Sequence, residues 1–317
     1  MRAIICHHLA TDRSGLRFEA DWSEPRAAGA GEVTVAIRVA ALNFPDLLML
    51  SGGYQFKPEV PFIPGTEACG TVIAAGAGAE ALLGQRVIVG ARGGCFAERL
   101  TLPAAGVRPV PDGLDDAEAA AFTVGALTAW VGLMVRGRLV AGERVLVTGA
   151  GGGMGLAAVA LAAAEGATVV AVASSEAGLA AARAAGAQEL IRIDRAAPVI
   201  GLKDIDVVFD PVGGALAMPA IRTLRRGGRY LIIGFVGGVE RFPLNRALIK
   251  EIVVIGVRAG EYARQDPVAG RAHIAAIDAR AALLRPRIGM TVALGDVEQA
   301  FAAMAAGTLT AKAVVVP

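Results

Sequence analysis

The chain is 317 residues long and 55% hydrophobic, enough to bury the cores of two ordinary domains and too apolar for a disordered polypeptide. Its 31 basic and 29 acidic residues leave a formal charge of +2, so no broad field draws nucleic acid or an anionic membrane, and the expected partner is a small molecule. Cys6, Cys69 and Cys95, with no CxxC pair among them, exclude a disulfide framework and a cysteine-rich zinc site, and fit a reducing cytoplasm.

The start, MRAIICHHLA, lacks the apolar core and cleavage site of an export signal and reads as a strand. Neighbours on a strand point to opposite faces, so the adjacent Cys6, His7 and His8 do not form one metal site. From Gly31 to Leu102, β-rich runs such as EVTVAIRVA, GTVIAAG and QRVIVG are punctuated by glycine and proline, which predicts an irregular all-β domain. After Asp112 the texture changes. DDAEAAAF sets acidic residues ahead of an alanine-rich run, the pattern of a helix start whose dipole is complemented.

A βαβ rhythm follows: strand RVLVTG, helix from Gly153 to Glu165, strand TVVAVA, helix from Glu176 to Ala185, strand ELIRI, then DVVFD, RYLIIG and IVVIGV. Valine and isoleucine runs without polar alternation predict strands covered by helices on both faces, an α/β class with a doubly wound parallel sheet. Val145 to Ala164 carries no charge and approaches the length of a membrane span, but five glycines in its centre favour a strand, tight turn and buried helix. The tail from Asp266 is predicted to be helical until AKAVVVP, a strand expected to return to the first domain.

In GAGGGMG, Ala150, Gly152 and Gly155 keep the spacing of the dinucleotide fingerprint, with alanine in place of the usual first glycine. The missing side chains admit a pyrophosphate to the backbone, and the helix that opens with Gly153, Met154 and Gly155 offers it amides. At the end of the next strand, where an NAD site carries an acidic residue, stands Ala173, followed by Ser174 and Ser175, whose hydroxyls suit a 2′-phosphate. NADPH is therefore the favoured cofactor and NADH the alternative. The competing reading is that the serines cap the helix at Glu176. Arg192 or Arg195 is placed to reach the phosphate, against the plainer role of a solvated surface charge. Gly213 and Gly214, and Gly234 with Phe235, fall at carboxyl ends of strands, where open α/β sheets bind ligands.

Together ALNFPDLLMLSGGY, PFIPGTEACGTV, GARGGCFAERL, FTVGALTAW, VLVTGAGGGMG, FDPVGG and FPLNRALIKEIVVIGV resemble the medium-chain dehydrogenase/reductase superfamily, and specifically its zinc-free quinone oxidoreductase branch. The resemblance implies a GroES-like catalytic domain from residues 1–120 and 260–317, a Rossmann cofactor domain from 121–259, an active site in the cleft between them, and a homodimer paired through the edge strand IVVIGV. Zinc-dependent members place a cysteine where this chain has Asn43 and a GHE histidine where it reads Gly65-Thr66-Glu67, so no metal site is expected. Without a Lewis acid, hydride delivery suits quinones or similar conjugated carbonyl acceptors, whose developing charge is delocalised. Reduction of enones, alkenals or enoyl thioesters is the alternative. Recruitment as a structural or RNA-binding protein is the remote one, disfavoured by the near-neutral charge.

By resemblance Asn43 and Asp46 line the cleft, Tyr54 lies near the nicotinamide and Thr128 contacts it. The expected roles are orientation of substrate or nicotinamide by the Asn43 amide, and stacking or hydrogen bonding to oxyanion charge by Tyr54. The competing reading of NFPD is a turn in which Pro45 fixes the chain and Asp46 bonds local backbone. Gly178 and Gly307 stand where NADPH-binding relatives carry a lysine and an arginine. Arg258 and Ala259 replace large aromatics, and Arg258 is read either as an anchor for an acidic substrate group or as a plain salt bridge.

Overall fold

Short strands and turns occupy the first hundred residues of the computed structural model, which describes all 317 residues. They are β1 (Ala3–Cys6), β2 (Leu16–Glu19), β3 (Glu32–Ala41), α1 (Phe44–Leu50), β4 (Glu67–Ala75), β5 (Arg86–Gly90), β6 (Arg99–Pro103) and β7 (Val107–Pro109). Helix α2 (Asp116–Trp130) begins where the acidic run predicts. Asp115 Oδ1 accepts from the Glu118 amide at 2.8 Å and Glu118 Oε2 from the Asp115 amide at 3.0 Å, a reciprocal capping box.

The alternating α/β segment follows as β8 (Arg144–Thr148), α3 (Gly153–Ala164), β9 (Thr168–Ala173), α4 (Glu176–Ala184), β10 (Glu189–Arg192), β11 (Ile205–Asp210), α5 (Ala217–Thr223), β12 (Leu224–Ile232), α6 (Leu244–Lys250) and β13 (Val253–Gly256). Its six strands are all parallel, in the order β10-β9-β8-β11-β12-β13, the doubly wound arrangement with its switch point beside β8. Val145, Leu146, Val147, Val169 and Val170 are wholly buried, as strands covered on both faces require. The uncharged run from Val145 to Ala164 is thus strand, turn and helix. The one helix long and apolar enough to cross a membrane, Asp116–Arg136, has 61% of its apolar window buried inside the protein.

The chain ends with α7 (Ala259–Gln265), α8 (Pro267–Asp278), β14 (Ile288–Ala293), α9 (Val297–Ala305) and β15 (Lys312–Val316). As expected, the last strand returns to the first part of the chain, pairing antiparallel with β3 in a seven-stranded sheet. The tail before it is not wholly helical. β14 pairs parallel with β15 at the sheet edge, and so short a strand forms through a partner its own sequence does not announce.

Two compact units result, Met1–Thr123 with Ile288–Pro317, and Val124–Arg287. The expected boundary at 259/260 moves to 287/288, because the segment after β13 is tied to the α/β unit. The Arg280 guanidinium lies 4.7 Å over the Trp130 ring and 3.6 Å from Glu165. In the β unit both chain ends share one core, where Phe96 and Phe301 meet edge to face at 6.1 Å and are fully buried. Phe301→Ala is expected to lower the stability of this unit by about 3–5 kcal/mol. Urea unfolding followed through Trp22, in a Trp130→Phe background, checks it; an unchanged midpoint would contradict the shared core.

Candidate functional site

In the β unit the distinctive chemistry is a buried polar cluster. Asn43 ends the turn after β3 and caps α1, and Pro45 occupies that helix's first turn. Asp46 Oδ2 accepts the Asn43 amide at 2.8 Å, so the local-turn reading of NFPD holds for its backbone. The Asn43 side chain faces two charges: Nδ2 donates to Glu67 Oε1 at 2.9 Å, and Oδ1 accepts from Lys312 Nζ at 2.7 Å. Lys312 Nζ also donates to Glu67 Oε1 at 2.7 Å and to the Leu42 carbonyl at 3.3 Å. Glu67 is 1% exposed, Asn43 6% and Lys312 7%.

Asp46 is fully buried, and its Oδ1 has no hydrogen-bond partner. Burial raises its pKa to about 7; the Asn43 amide opposes the rise, the Glu67 charge adds to it, and Lys312 and, least, Thr66 lower it. Cys95, fully buried near both carboxylates, has its thiol pushed well up, chiefly by burial. Tyr54 lies half-buried on the segment after α1 and takes no part in these hydrogen bonds.

In the α/β unit the turn after β8 is shaped by backbone approach. A methyl on Gly155 would stand 2.3 Å from the Gly149 carbonyl oxygen, and one on Gly151 would stand 2.5 Å from Gly178 Cα. At Gly178 itself a methyl would stand 3.0 Å from Ser175 Oγ and 3.3 Å from Gly151 Cα, so a side chain there would be tightly packed where α4 begins. At Gly152 a methyl would meet only the Gly149 oxygen, at 3.5 Å, so the strand-to-helix corner stays open to a ligand. The first amide bonded within α3 is that of Leu156, to the Gly152 carbonyl at 2.9 Å, which leaves those of Gly153, Met154 and Gly155 ahead of the ladder. Ala150 is buried, its amide bonded to the Val172 carbonyl. Thr128, half-buried, lies one turn beyond Gly125 on α2, and Gly125 packs on the Gly153 carbonyl.

The two serines divide their labour. Ser175 Oγ accepts the Gly178 amide at 3.1 Å and caps α4, whereas Ser174 Oγ accepts from Arg195 Nε at 2.9 Å. Arg192 pairs with Glu176 at 3.0 Å on the exposed surface. Gly234 and the half-exposed Phe235 open the loop after β12, whose Gly237 amide bonds the Val212 carbonyl at 2.7 Å. Arg258 pairs with Glu261 at 3.7 Å, as the plainer reading of it expects.

Three features escape sequence reasoning. Asp210, at the carboxyl end of β11, accepts from the Thr148 and Tyr230 hydroxyls and, at 2.9 and 3.0 Å, from the Val212 and Gly213 amides, fixing the loop that follows. Burial foremost, with the Asp210 charge, drives the Tyr230 pKa upward. Glu67 and Lys312 become partners across 245 residues of chain. The available signal is a single lysine within the apolar run AKAVVVP, on a strand flanked on both sides.

Two family descriptions match the chain: "Alcohol dehydrogenase GroES-like domain" over residues 29–112, and "Zinc-binding dehydrogenase" over 153–272. Quinone oxidoreductase-like protein 2 of Rattus norvegicus is 33% identical over 288 residues, 87% of this chain and 82% of that protein. The homologous protein of Nematostella vectensis is 33% identical over 275 residues, 84% of this chain and 74% of its own. Among solved structures, the quinone oxidoreductase of Thermus thermophilus, also solved with NADPH, superimposes with a TM-score of 0.86 at 31% identity, each chain covered in full.

The second family description implies zinc, and the residues present do not fit it. The Asn43 carbonyl and the Glu67 carboxylate are closed on the Lys312 ammonium, and no three His, Cys, Asp or Glu side chains are grouped to hold a metal ion.

The raised carboxyl of Asp46 sets a pH dependence. Its unfolded value is near ~3.9 and its native value about 7, so between them the native state holds the extra proton. The stability it confers is fully present below the unfolded value and is lost as pH rises through the native one. Asp46→Asn is expected to remove this decline, worth at most about 1.4 kcal/mol per pH unit. Urea midpoints for both proteins across that range test it; parallel curves would contradict it.

Proposed function

Because the chain belongs to the quinone oxidoreductase branch of the medium-chain dehydrogenase/reductase superfamily, we propose that it transfers hydride from NADPH to quinones or similar conjugated acceptors without zinc. The observation that carries this reading is the turn after β8. Its glycines press backbone on backbone, while the Gly152 corner stays open ahead of the α3 amides, a seat for a pyrophosphate. Gly152, Gly153, Met154 and Gly155 would hold the phosphates, with Thr128, Gly234 and Phe235 toward the nicotinamide end. Bound there, the nucleotide supplies the hydride.

Arg195, held by Ser174 at the end of β9, is the residue proposed for the 2′-phosphate, since the position where the resemblance expects a lysine is the tightly packed Gly178. Arg192, which pairs with Glu176, is the second candidate. The donor set that does not fit zinc supports acceptors whose charge delocalises, and Tyr54 is the proposed hydrogen-bond donor to them. Reduction of a conjugated C=C bond is the alternative within this reading, and product analysis with quinones, alkenals and enoyl thioesters separates the two.

Calorimetry with both nucleotides, followed by stopped-flow screening of that panel, is the test. NADPH is expected to bind about tenfold or more tighter than NADH, and Arg195→Ala to lose about tenfold in NADPH affinity with NADH little changed. Failure to oxidise NADPH with every acceptor would overturn the reading.

The proposal includes a homodimer through β13. This is the last strand of the six-stranded sheet, an unpaired edge with Val253 and Val254 50% and 37% exposed. Val254→Lys is expected to halve the mass seen by light scattering, and a monomeric parent protein would contradict the dimer.

A further inference from the structure

Lys312 is charged, 7% exposed and far in sequence from its partners, and the roles proposed above leave it without one. An ammonium in such a place is costly unless its protons are taken up, and here three oxygens take them: Asn43 Oδ1 and Glu67 Oε1, each at 2.7 Å, and the Leu42 carbonyl at 3.3 Å. One of these oxygens belongs to Asn43, which by the resemblance stands where zinc-dependent members carry a cysteine.

The arrangement also decides which way the Asn43 amide faces. With Oδ1 on the ammonium and Nδ2 on the carboxylate, both ends are matched. A flipped amide would set its NH2 against Lys312 and its oxygen against Glu67, trading two charge-assisted hydrogen bonds for two repulsive contacts. One Nδ2–H is spent on Glu67, and an amide nitrogen carries two. The held orientation therefore leaves one donor of fixed direction on a residue proposed to orient substrate or nicotinamide.

We propose that Lys312 is the positioning residue of the catalytic unit, an internal cation that acts by locking the Asn43 amide against Glu67. Glu67 completes the lock, and the pair is needed as a pair. Only the kinetic part of this inference rests on the proposed hydride transfer; the lock itself is a statement about three side chains.

Two measurements test it. In the first, the Asn43 side-chain amide is followed by 15N–1H correlation in the parent protein and in Lys312→Met/Glu67→Gln, a double variant that removes both charges together, so that neither is left buried alone. Slowly exchanging Asn43 amide protons are expected in the parent and fast exchange in the double variant. Equal exchange in two folded proteins would overturn the lock whether or not the protein reduces quinones.

The second is a kinetic cycle with NADPH and a turned-over acceptor, built from Asn43→Ala, Lys312→Met/Glu67→Gln and their combination. The charge-free variant is expected to lower kcat about 10- to 100-fold with NADPH affinity within about twofold, and to add nothing in the Asn43→Ala background. Multiplying effects, or parental kcat in the charge-free variant, would show that Lys312 does not act through Asn43. A parent that turned over no acceptor would fail the functional reading instead, and the amide exchange alone would then judge Lys312.

Discussion

The ammonium of Lys312, enclosed by Asn43, Glu67 and the Leu42 carbonyl, is the interaction on which the β unit is organised. It joins the last strand to the turn after β3 and to the first residue of β4, so both chain ends meet in one buried set of charges. A buried ion pair of this kind contributes little net stability over an apolar replacement, because desolvation offsets attraction. What it supplies is specificity of arrangement. Once the ammonium is in place, the carboxylate and amide beside it have one low-energy orientation, and the unpartnered oxygen of Asp46 lies in the field they create.

The α/β unit reaches a similar end by different means. Its turn after β8 is ordered by backbone contact, Gly155 on Gly149 and Gly151 on Gly178, not by charge. Asp210 then fixes the neighbouring loop with four hydrogen bonds drawn from β8, β12 and its own following residues. One consequence of the Gly151–Gly178 contact is chemical. Position 178, where the resemblance expects a lysine, is a tightly packed glycine, and the basic residue proposed for the 2′-phosphate is Arg195, held by Ser174 on the segment after β10.

Much of this was legible in the sequence because it depends on local pattern. The runs of β8 and β9 are apolar and buried on both faces, the acidic run at Asp115 caps a helix, and the glycine turn lies between a strand and a helix. What escaped depends on pairing over long separations. β14 exists through β15, the boundary at 287/288 through the contacts of Arg280 with Trp130 and Glu165, and the Lys312 cluster through partners 245 and 269 residues away. Ser175 shows the opposite limit: its capping role and a phosphate role are written by the same residue type, and only coordinates reveal that its hydroxyl is turned to the Gly178 amide.

The β unit thus holds a buried cation, Lys312, on the two side chains whose donor set does not fit zinc, and zinc-free hydride transfer to a conjugated acceptor is the function proposed for the chain. The most direct test is turnover of NADPH with a quinone after exhaustive chelation, with zinc measured by elemental analysis on the same sample. If the chain acts without zinc, as proposed, full turnover persists with zinc far below one ion per chain. Turnover that falls with zinc removal and returns on adding zinc would contradict it.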